Sequence, residues 1–320
     1  MKITFFGSGE IGIPSLEALK ESQNQLCGIF TQPARPAGRK RTQTPTPVAK
    51  WAGQNNVKCT ETENINAPDM AEQLTACGGQ LLVVIAFGQK ISQQVCALHP
   101  AGAINVHASV LPKYRGAAPI NWAIINGDTE TGISIITLAD KMDAGEILAQ
   151  TKIPIGPDDT AQTLHDNLAQ TAPKVLLDTI EAIENGTAVY KSQDESQVSF
   201  AHKLKKSDGF IDFVAPAEKI QNQIRGLWPW PGAQTIFVSA KTHKKCRVTI
   251  ANARVVPAAG GSRDKIGLLD DKLNVGCGRD ALKILQIKPA GGRVMDFKAF
   301  VNGRDVRPLD RFIQIDQSTY

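Results

Sequence analysis

Short apolar segments alternate with helical segments through the first 190 residues, and this alternation constrains the fold more than any other feature. The segments KITFF (2–6), LCGIF (26–30) and LLVVIAFG (81–88) are almost wholly apolar. Helical segments follow Pro14 and Pro68, because proline is well suited to the first turn of a helix. Strands that are apolar on both faces are typical of parallel sheets covered by helices. The alternation therefore predicts an α/β fold with a doubly wound, mostly parallel sheet.

The same pattern continues and then stops near residue 190. Further strands are predicted over 103–109, 133–138 and 146–155, and a long amphipathic helix over 160–185. The polar stretch KSQDESQ follows, and beyond it short strand-like runs are separated by Gly, Pro and Asp turns. Such spacing is typical of a small antiparallel barrel or sandwich. We predict a first domain over 1–190, a linker over 191–207 and a C-terminal domain over 208–320.

Charge changes at the same place along the chain. Residues 1–190 carry 14 Lys and Arg against 18 Asp and Glu, a net charge of −4, whereas residues 191–320 carry 22 against 13, a net charge of +9. A basic region of this size suggests a polyanionic partner. The alternative is a solvated basic surface without a partner, and charge alone favours that alternative.

Hydropathy and cysteine spacing exclude several classes of protein. The longest apolar runs fall short of the roughly 18 residues that span a membrane. The six cysteines are far apart, without a CxxC pair or the Cys/His spacing of a zinc site. We therefore expect free thiols, a reducing, cytoplasmic location, no metal and no membrane association.

The run Gly7-Ser8-Gly9-Glu10-Ile11-Gly12 matches the GxGxxG motif of dinucleotide-binding proteins. That motif also needs an acidic residue at the end of the second strand to bind the ribose. Acidic residues are absent from Ser22 to Thr60. We interpret the glycines as a tight strand-to-helix turn rather than a dinucleotide site.

Three polar side chains follow two predicted strands. Asn105 and His107 alternate with apolar residues and so share one face at the end of their strand. Ligands of open α/β sheets bind at this edge. Asp143 follows the strand over 133–138, and a carboxylate close to His107 would fix its tautomer and stabilise its protonated form. From the sequence alone, Asp140 could equally be the carboxylate close to His107.

This combination suits the transfer of an acyl group to an amine. The carbonyl oxygen becomes negative as the amine attacks, and the Asn105 amide and protonated His107 can donate hydrogen bonds to it. Asp143 can assist the loss of the proton, directly or through His107. No Ser or Cys stands where a nucleophile would be required, so direct transfer is simpler than a covalent intermediate.

The motifs around these residues resemble the folate-dependent formyltransferases. They are N-x-H at 105–107, SVLPKYRGAAPI (109–120), ETG (130–132) and Asp-Ala-Gly at 143–145. The resemblance implies a Rossmann-like domain that takes a formyl group from 10-formyltetrahydrofolate and uses Asn105, His107 and Asp143 in catalysis. It also implies folate contacts by Ser109, Val110, Leu111, Pro112, Phe87, Gly88, Leu138 and Asp140.

Two further segments resemble the methionyl-tRNA formyltransferase branch of that superfamily. They are TQPARPAGRKRTQTPTPVAKWA (31–52), and FAHKLKKSDGFIDF (200–213) with the following LWPWPGA. This resemblance implies an OB-like C-terminal barrel, a monomer, and initiator methionyl-tRNA whose free amino group is formylated. The expected tRNA contacts are Arg35, Arg39, Lys40, Arg41, Lys203, Lys205 and Lys206.

Two alternatives remain open. One is a formyltransferase that acts on a small amine, such as an amino sugar nucleotide or glycinamide ribonucleotide. The glycinamide ribonucleotide type would not need the basic C-terminal region, and the sugar type lacks the PAGRKR loop. The other is a non-catalytic RNA-binding protein, against which the complete Asn105, His107 and Asp143 set argues.

Overall fold

The fold is given by a computed structural model that describes residues 1–38, 41–258 and 265–316. The chain divides into two compact units. The first comprises Met1–Pro119, Glu130–Pro154 and His165–Ala201, and the second comprises Ile120–Thr129, Ile155–Leu164 and His202–Tyr320. Two short segments that precede residue 190 thus group with the C-terminal part of the chain, which no sequence pattern indicated. The linker over 191–207 stays a prediction.

The first unit contains eleven of the strands in the described residues. They are β1 (Lys2–Gly7), β2 (Gln25–Thr31), β3 (Arg35–Ala37), β4 (Thr42–Thr44), β5 (Cys59–Glu61), β6 (Leu81–Ile85), β7 (Ala103–His107), β8 (Arg115–Gly116), β9 (Glu130–Thr137), β10 (Ile147–Pro154) and β11 (Phe200–Ala201). Seven of them form one sheet in the order β10-β9-β7-β6-β1-β2-β5. The pairs from β5 to β7 are parallel, and β9 and β10 are antiparallel. The predicted doubly wound, mostly parallel sheet is confirmed.

Helices connect these strands, and two of them begin at a residue whose side chain caps the helix. They are α1 (Ile13–Glu21), α2 (Pro47–Gln54), α3 (Pro68–Cys77), α4 (Gln93–Ala97), α5 (Pro119–Ile125) and α6 (Ala161–Glu184). Thr46 caps α2, since its hydroxyl accepts the amide hydrogen of Ala49 at 3.0 Å. Ser92 caps α4 through Val95 in the same way. Gly78 ends α3 in the left-handed conformation, with φ of 65°.

An aromatic cluster lies in the core of the first unit. The ring of Phe6 is 5.3 Å from that of Phe30 and 5.0 Å from that of Phe87. Leu82 and Val84 of β6 belong to the same buried cluster. Full burial of an apolar side chain of this size contributes about 1.5–3 kcal/mol. The cluster therefore fixes the end of β6 from which the chain turns out of the sheet.

The strand predicted over 81–88 ends earlier than expected, at Ile85. Ala86 has a left-handed backbone with φ of 48°, and Gly88 has φ of 81°. Apolar character continues through Phe87 because that side chain fills the core after the strand has ended. The apolar run therefore predicted burial correctly and strand length incorrectly.

The second unit contains a nearly closed antiparallel barrel, as predicted. Its strands are β12 (Ala233–Val238), β13 (Lys245–Val256), β14 (Val275–Gly276), β15 (Ala281–Pro289), β16 (Met295–Asp296) and β17 (Arg311–Ile313). The order is β14-β15-β13-β12-β17, and β16 pairs with β15. Leu268 pairs with Arg311 on β17, and the next residue, Leu269, pairs with Val275 on β14. One short segment thus bridges both edge strands, which removes exposed strand edges.

Two helices of the second unit, α7 (Ala217–Gly226) and α8 (Phe297–Arg304), were not predicted from the sequence. Phe237 of β12 packs against Phe300 of α8 and Phe312 of β17, with ring centroids 5.4 and 5.5 Å apart. Helix α7 buries Ile220 and Ile224 in the same cluster. Both helices are short and lie among turn residues, so the regular strand spacing concealed them.

No helix in the described parts of the chain has the length and apolar character required to cross a bilayer.

Candidate active site

The candidate site begins at the end of β7. This strand lies between β6, which is parallel to it, and β9, which is antiparallel. Asn105 is half-buried and pairs with Val84 and Ile136, whereas His107 is 6% exposed and lies opposite Ser134. Side chains two residues apart on a strand share a face. The amide and the imidazole are therefore presented together, as expected.

Both nitrogens of the His107 ring face an acceptor. Nε2 lies 2.9 Å from the carbonyl oxygen of Tyr114, and Nδ1 lies 3.6 Å from Oδ2 of Asp143. With Nε2 donating its hydrogen to Tyr114, Nδ1 is the nitrogen left to exchange a proton with the carboxylate. The predicted contact between imidazole and carboxylate is observed, while the catalytic roles of these groups stay a prediction.

Asp143 is held in an uncommon backbone conformation. Its φ is 51°, and Tyr114, which contacts His107, has φ of 64°. Such left-handed conformations at residues other than glycine cost of order 1–3 kcal/mol and cluster at functional sites. The side chain of Asp143 is 13% exposed, and its Oδ2 accepts the amide hydrogen of Gly116 at 2.8 Å. The carboxylate thus bridges the imidazole and the loop that follows β7.

Asp140 was the second candidate for the partner of His107. It is exposed, and the carboxylate that lies next to His107, 3.6 Å from Nδ1, is that of Asp143. The choice between the two acids depends on a turn of four residues, which the sequence alone did not define.

A buried hydroxyl organises the loop after β7. The amide of Leu111 donates to Oγ of Ser134 at 3.0 Å, and that hydroxyl donates to the carbonyl oxygen of Ser109 at 2.6 Å. Gln150 on β10 adds hydrogen bonds from its Nε2 to Oγ of Ser134 and to the carbonyl oxygen of Leu111, each 2.8 Å long. The hydroxyl of Ser109 donates to the carbonyl oxygen of Lys113. The loop is therefore rigid through hydrogen bonds as well as through its prolines.

The residues predicted to contact folate divide into two groups. The side chains of Ser109, Leu111 and Phe87 are at most 2% exposed and are used in contacts within the protein. The remaining five reach the surface wholly or in part: Val110, Pro112, Gly88, Leu138 and Asp140. Any contact to a ligand from the first group must therefore come from the backbone, while the second group can also present side chains.

The residues predicted to contact tRNA are exposed wherever they are described. Arg35 lies on β3 of a two-stranded hairpin with β4, and Arg41 lies in its turn. Lys203, Lys205 and Lys206 are exposed in the second unit. Arg39 and Lys40 lie outside the described residues.

Three polar groups around Asp143 were missed by the sequence analysis. The amide of Gly116 donates to its carboxylate, and Gln193 donates from Nε2 to its carbonyl oxygen at 2.8 Å. Arg115, which is 4% exposed, donates to Gln193 in turn. Arg115 stood inside the motif at 109–120, but Gln193 lies in a polar stretch that resembles a linker and gave no signal.

The described residues contain no group of three or more His, Cys, Asp or Glu side chains that is arranged to hold a metal ion.

Two family models match the chain. The model described as formyl transferase covers residues 1–180, and the model described as formyl transferase, C-terminal domain, covers residues 203–305. Together they include every residue of the candidate site described above except Gln193.

Relatives of similar length are found among curated proteins. Methionyl-tRNA formyltransferase from Trichlorobacter lovleyi is 38% identical over 302 residues, which is 94% of each chain. The protein of the same name from Caldanaerobacter subterraneus is 39% identical over 308 residues, or 96% of this chain and 98% of the relative.

Solved structures share the fold at much lower identity. HypX from Aquifex aeolicus, crystallised with tetrahydrofolic acid, is 15% identical with a TM-score of 0.62, covering 96% of this chain and 48% of HypX. WlaRD, a sugar 3N-formyl transferase, is 18% identical with a TM-score of 0.62, covering 88% of this chain and 96% of WlaRD. At these identities the similarity concerns the fold alone.

Proposed function

We propose a function from one premise: this chain is an enzyme of the formyl transferase family, to which the matches over residues 1–180 and 203–305 assign it. The reaction is transfer of the formyl group of 10-formyltetrahydrofolate to the free amino group of initiator methionyl-tRNA, which yields N-formylmethionyl-tRNA. One observation carries the choice of acceptor. Relatives named methionyl-tRNA formyltransferase are similar to this chain through both of its regions and over 94% or more of its length.

The exposed backbone beside the site suits a folate donor. A pterin is a flat ring that requires an apolar surface and backbone donors and acceptors at its edge. Gly88 and Ala86 are exposed after β6, and Leu138 is half-buried against the aromatic cluster. Val110 adds an apolar side chain from the loop after β7. These groups fit the pterin end of the donor.

Formyl transfer joins the amine nitrogen to the formyl carbon and breaks the bond from that carbon to N10 of the folate, while a proton moves from the amine to N10. The protein stabilises the negative charge that develops on the formyl oxygen. Asn105 donates its amide hydrogen to that oxygen. Protonated His107 adds a second donor through Nδ1–H, since Nε2 is used by Tyr114 and Nδ1, at 3.6 Å from Asp143, is beyond hydrogen-bond distance of the carboxylate. One such donor contributes about 3 kcal/mol to the stability of a transition state.

Asp143 assists the removal of the proton that the attacking amine must lose. Its Oδ2 faces Nδ1 of His107, so a proton can pass between the two groups. A positioned general base typically accelerates a reaction by roughly 10²–10⁴. The hydrogen bond from Gly116 keeps the carboxylate directed at the imidazole during the transfer.

Exposed basic residues supply affinity for the tRNA. Lys203, Lys205 and Lys206 precede the barrel, and Arg35 and Arg41 project from the hairpin of β3 and β4. Phosphate contacts supply most of the affinity of such interfaces and make it salt-dependent. Location in the cytoplasm, where charged tRNA is found, and a monomeric state are part of the same proposal.

The test compares three acceptors with one donor. The purified protein is incubated with 10-formyltetrahydrofolate and either methionyl initiator tRNA, an amino sugar nucleotide or glycinamide ribonucleotide, and formylated product is quantified. We expect product with the charged tRNA only. Product with a small amine alone would contradict the proposed acceptor, and no product with any acceptor would contradict the reaction itself.

A further inference from the structure

We infer that Gln193 is a positioning residue that holds Asp143 in the geometry required for formyl transfer. This inference rests on the proposed function, since it concerns the same site. Gln193 lies in the polar stretch after α6, outside both segments matched by the family models. Its side chain contacts neither His107 nor Asn105 by any hydrogen bond in the described residues, so it acts through the turn that carries Asp143.

The side chain of Gln193 forms hydrogen bonds with two backbone carbonyl groups of that turn, two residues apart. Nε2 donates one hydrogen to the carbonyl oxygen of Asp143 at 2.8 Å and the other to the carbonyl oxygen of Gly145 at 2.7 Å. A primary amide has two N–H donors, and both are used here. The backbone across residues 143–145 is therefore fixed at two points by one side chain.

Arg115 orients the Gln193 amide. Its Nε and one terminal nitrogen donate to Oε1 of Gln193 at 3.0 and 2.8 Å. The guanidinium is buried, and its terminal nitrogen also pairs with Glu195 at 2.7 Å. Because Arg115 can only donate, the amide oxygen must face it and the amide nitrogen must face the turn.

Besides Gln193, the amide of Gly116 holds the carboxylate of Asp143, and the amide of Ala144 donates to the carbonyl oxygen of Lys141 within the turn. The backbone of Asp143 is nevertheless strained. Its left-handed φ of 51° is unfavourable for a residue with a side chain. Gly145 approaches β9 so closely that a Cβ would collide with the carbonyl oxygen of Thr137. The hydrogen bonds from Gln193 compensate for this strain and keep the carboxylate in place.

The same segment also supports the loop that contacts His107. Ser199 accepts from the amide of Tyr114 through its hydroxyl and from the amide of Arg115 through its carbonyl oxygen, each at 2.9 Å. Strands β8 and β11 pair immediately afterwards. A stretch that the sequence presents as a linker thus connects the two loops that place His107 and Asp143 3.6 Å apart.

The experiment compares Gln193→Ala, Gln193→Glu and Gln197→Ala in the full-length protein, each with 10-formyltetrahydrofolate and methionyl-tRNA. Gln193→Glu preserves size and the acceptor for Arg115 but removes both donors to the turn. Gln197 is exposed on the same segment, so its alanine variant controls for effects of the segment alone. Amide hydrogen exchange at Gly116 reports whether Asp143 still accepts from that amide.

We expect kcat to fall by about 10- to 100-fold in both Gln193 variants, because displacements near 1 Å cost roughly that much in a preorganised site. KM for both substrates should change less than threefold, and exchange at Gly116 should accelerate. Gln197→Ala should match the wild type in all three measurements.

Two results would overturn the inference. One is a normal kcat in Gln193→Glu, and the other is a loss of thermal stability with unchanged kcat and Gly116 exchange in folded Gln193→Ala. A wild-type protein without activity toward methionyl-tRNA would instead contradict the proposed function. In that case the Gly116 exchange rates of the variants still test the positioning of Asp143.

Discussion

The two units of this protein use charged residues in opposite ways. In the first unit, the residues around the candidate site are buried or nearly so: His107, Arg115 and Asp143 are 6%, 4% and 13% exposed. In the second unit, side chains such as Arg254 and Arg279 are 63% and 68% exposed and form ion pairs at 3.7–3.8 Å. Buried polar groups are costly unless each has a partner, whereas exposed pairs contribute about 0–1 kcal/mol.

The difference indicates how catalysis and affinity are divided. Each of the buried or nearly buried residues His107, Arg115 and Asp143 has a defined hydrogen-bond or ionic partner at a defined distance, so its function depends on geometry. The exposed cations of residues 191–320, where the net charge is +9, have no such constraint, so their function depends on number and sign. Changes to the buried residues of the candidate site should therefore reduce turnover, and changes to the exposed cations proposed to contact tRNA should reduce substrate affinity in a salt-dependent manner.

The largest effect is expected from the catalytic candidates. Asn105→Ala and His107→Ala should each lower kcat by about 10²–10³, because each removes a donor from the formyl oxygen. Asp143→Asn should lower kcat by a similar factor, and Asp178→Asn, at an exposed position on α6 of the same unit, is the control. Steady-state kinetics with thermal melts to verify folding measure this. Near-normal kcat in the Asn105 and His107 variants would exclude them from the chemistry.

A smaller effect is expected when the exposed lysines are removed. The triple variant of Lys203, Lys205 and Lys206 to Ala should raise KM for methionyl-tRNA by roughly tenfold and change kcat little, because phosphate contacts contribute affinity. Each lost phosphate contact should reduce the slope of log affinity against log salt by about 1. Fluorescence titrations at several salt concentrations measure the slope.

The control for this variant removes two exposed lysines of the first unit, Lys152 and Lys174. Their substitution by alanine should leave KM and the salt slope unchanged. If both variants weakened tRNA binding equally, the contrast between the units would be incorrect and net charge alone would explain the affinity.

The smallest effect concerns Glu195, an exposed residue that pairs with buried Arg115. The hydrogen bond from Arg115 lowers the pKa of this carboxyl below its usual value. A depressed pKa means that ionised Glu195 stabilises the fold fully above its unfolded pKa and that this stabilisation is lost as pH falls through the folded pKa. The difference in Tm between wild type and Glu195→Gln should therefore shrink as pH falls from 6 to about 3.5.

Glu218→Gln, which removes an ion pair between two exposed side chains in the second unit, is the comparison for Glu195→Gln. Its effect on Tm should be smaller at pH 6, because Arg279 is exposed to solvent and also pairs with Asp280 at 4.0 Å. Equal effects of the two substitutions would show that the burial of Arg115 adds nothing to its pair with Glu195.

Patterns with a clear physical basis predicted much of the fold correctly. Apolar runs located strands such as β1 and β7 because their residues are buried on both faces, and prolines marked the first turns of α1 and α3. Helices α7 and α8 were missed because each is short and is flanked by turn residues such as Pro216 and Asp296. The length of β6 was overestimated because Phe87 is buried beyond the end of the strand.

The sequence by itself determined which residue types are available for catalysis and which strand carries or precedes each of them. The alternation in β7 placed Asn105 and His107 on one face, and the position of Asp143 after β9 made it a candidate partner. Both are local consequences of strand geometry, so a single segment was enough to infer them.

Only the tertiary structure decided that Asp143 rather than Asp140 faces His107, and that Gln193 and Arg115 hold the turn. These contacts join residues 27 to 78 positions apart. No periodicity in the sequence encodes such distances, because they depend on how β8, β9 and β11 come together after folding. The partners of a buried polar group are a property of the packed chain and not of any one segment within it.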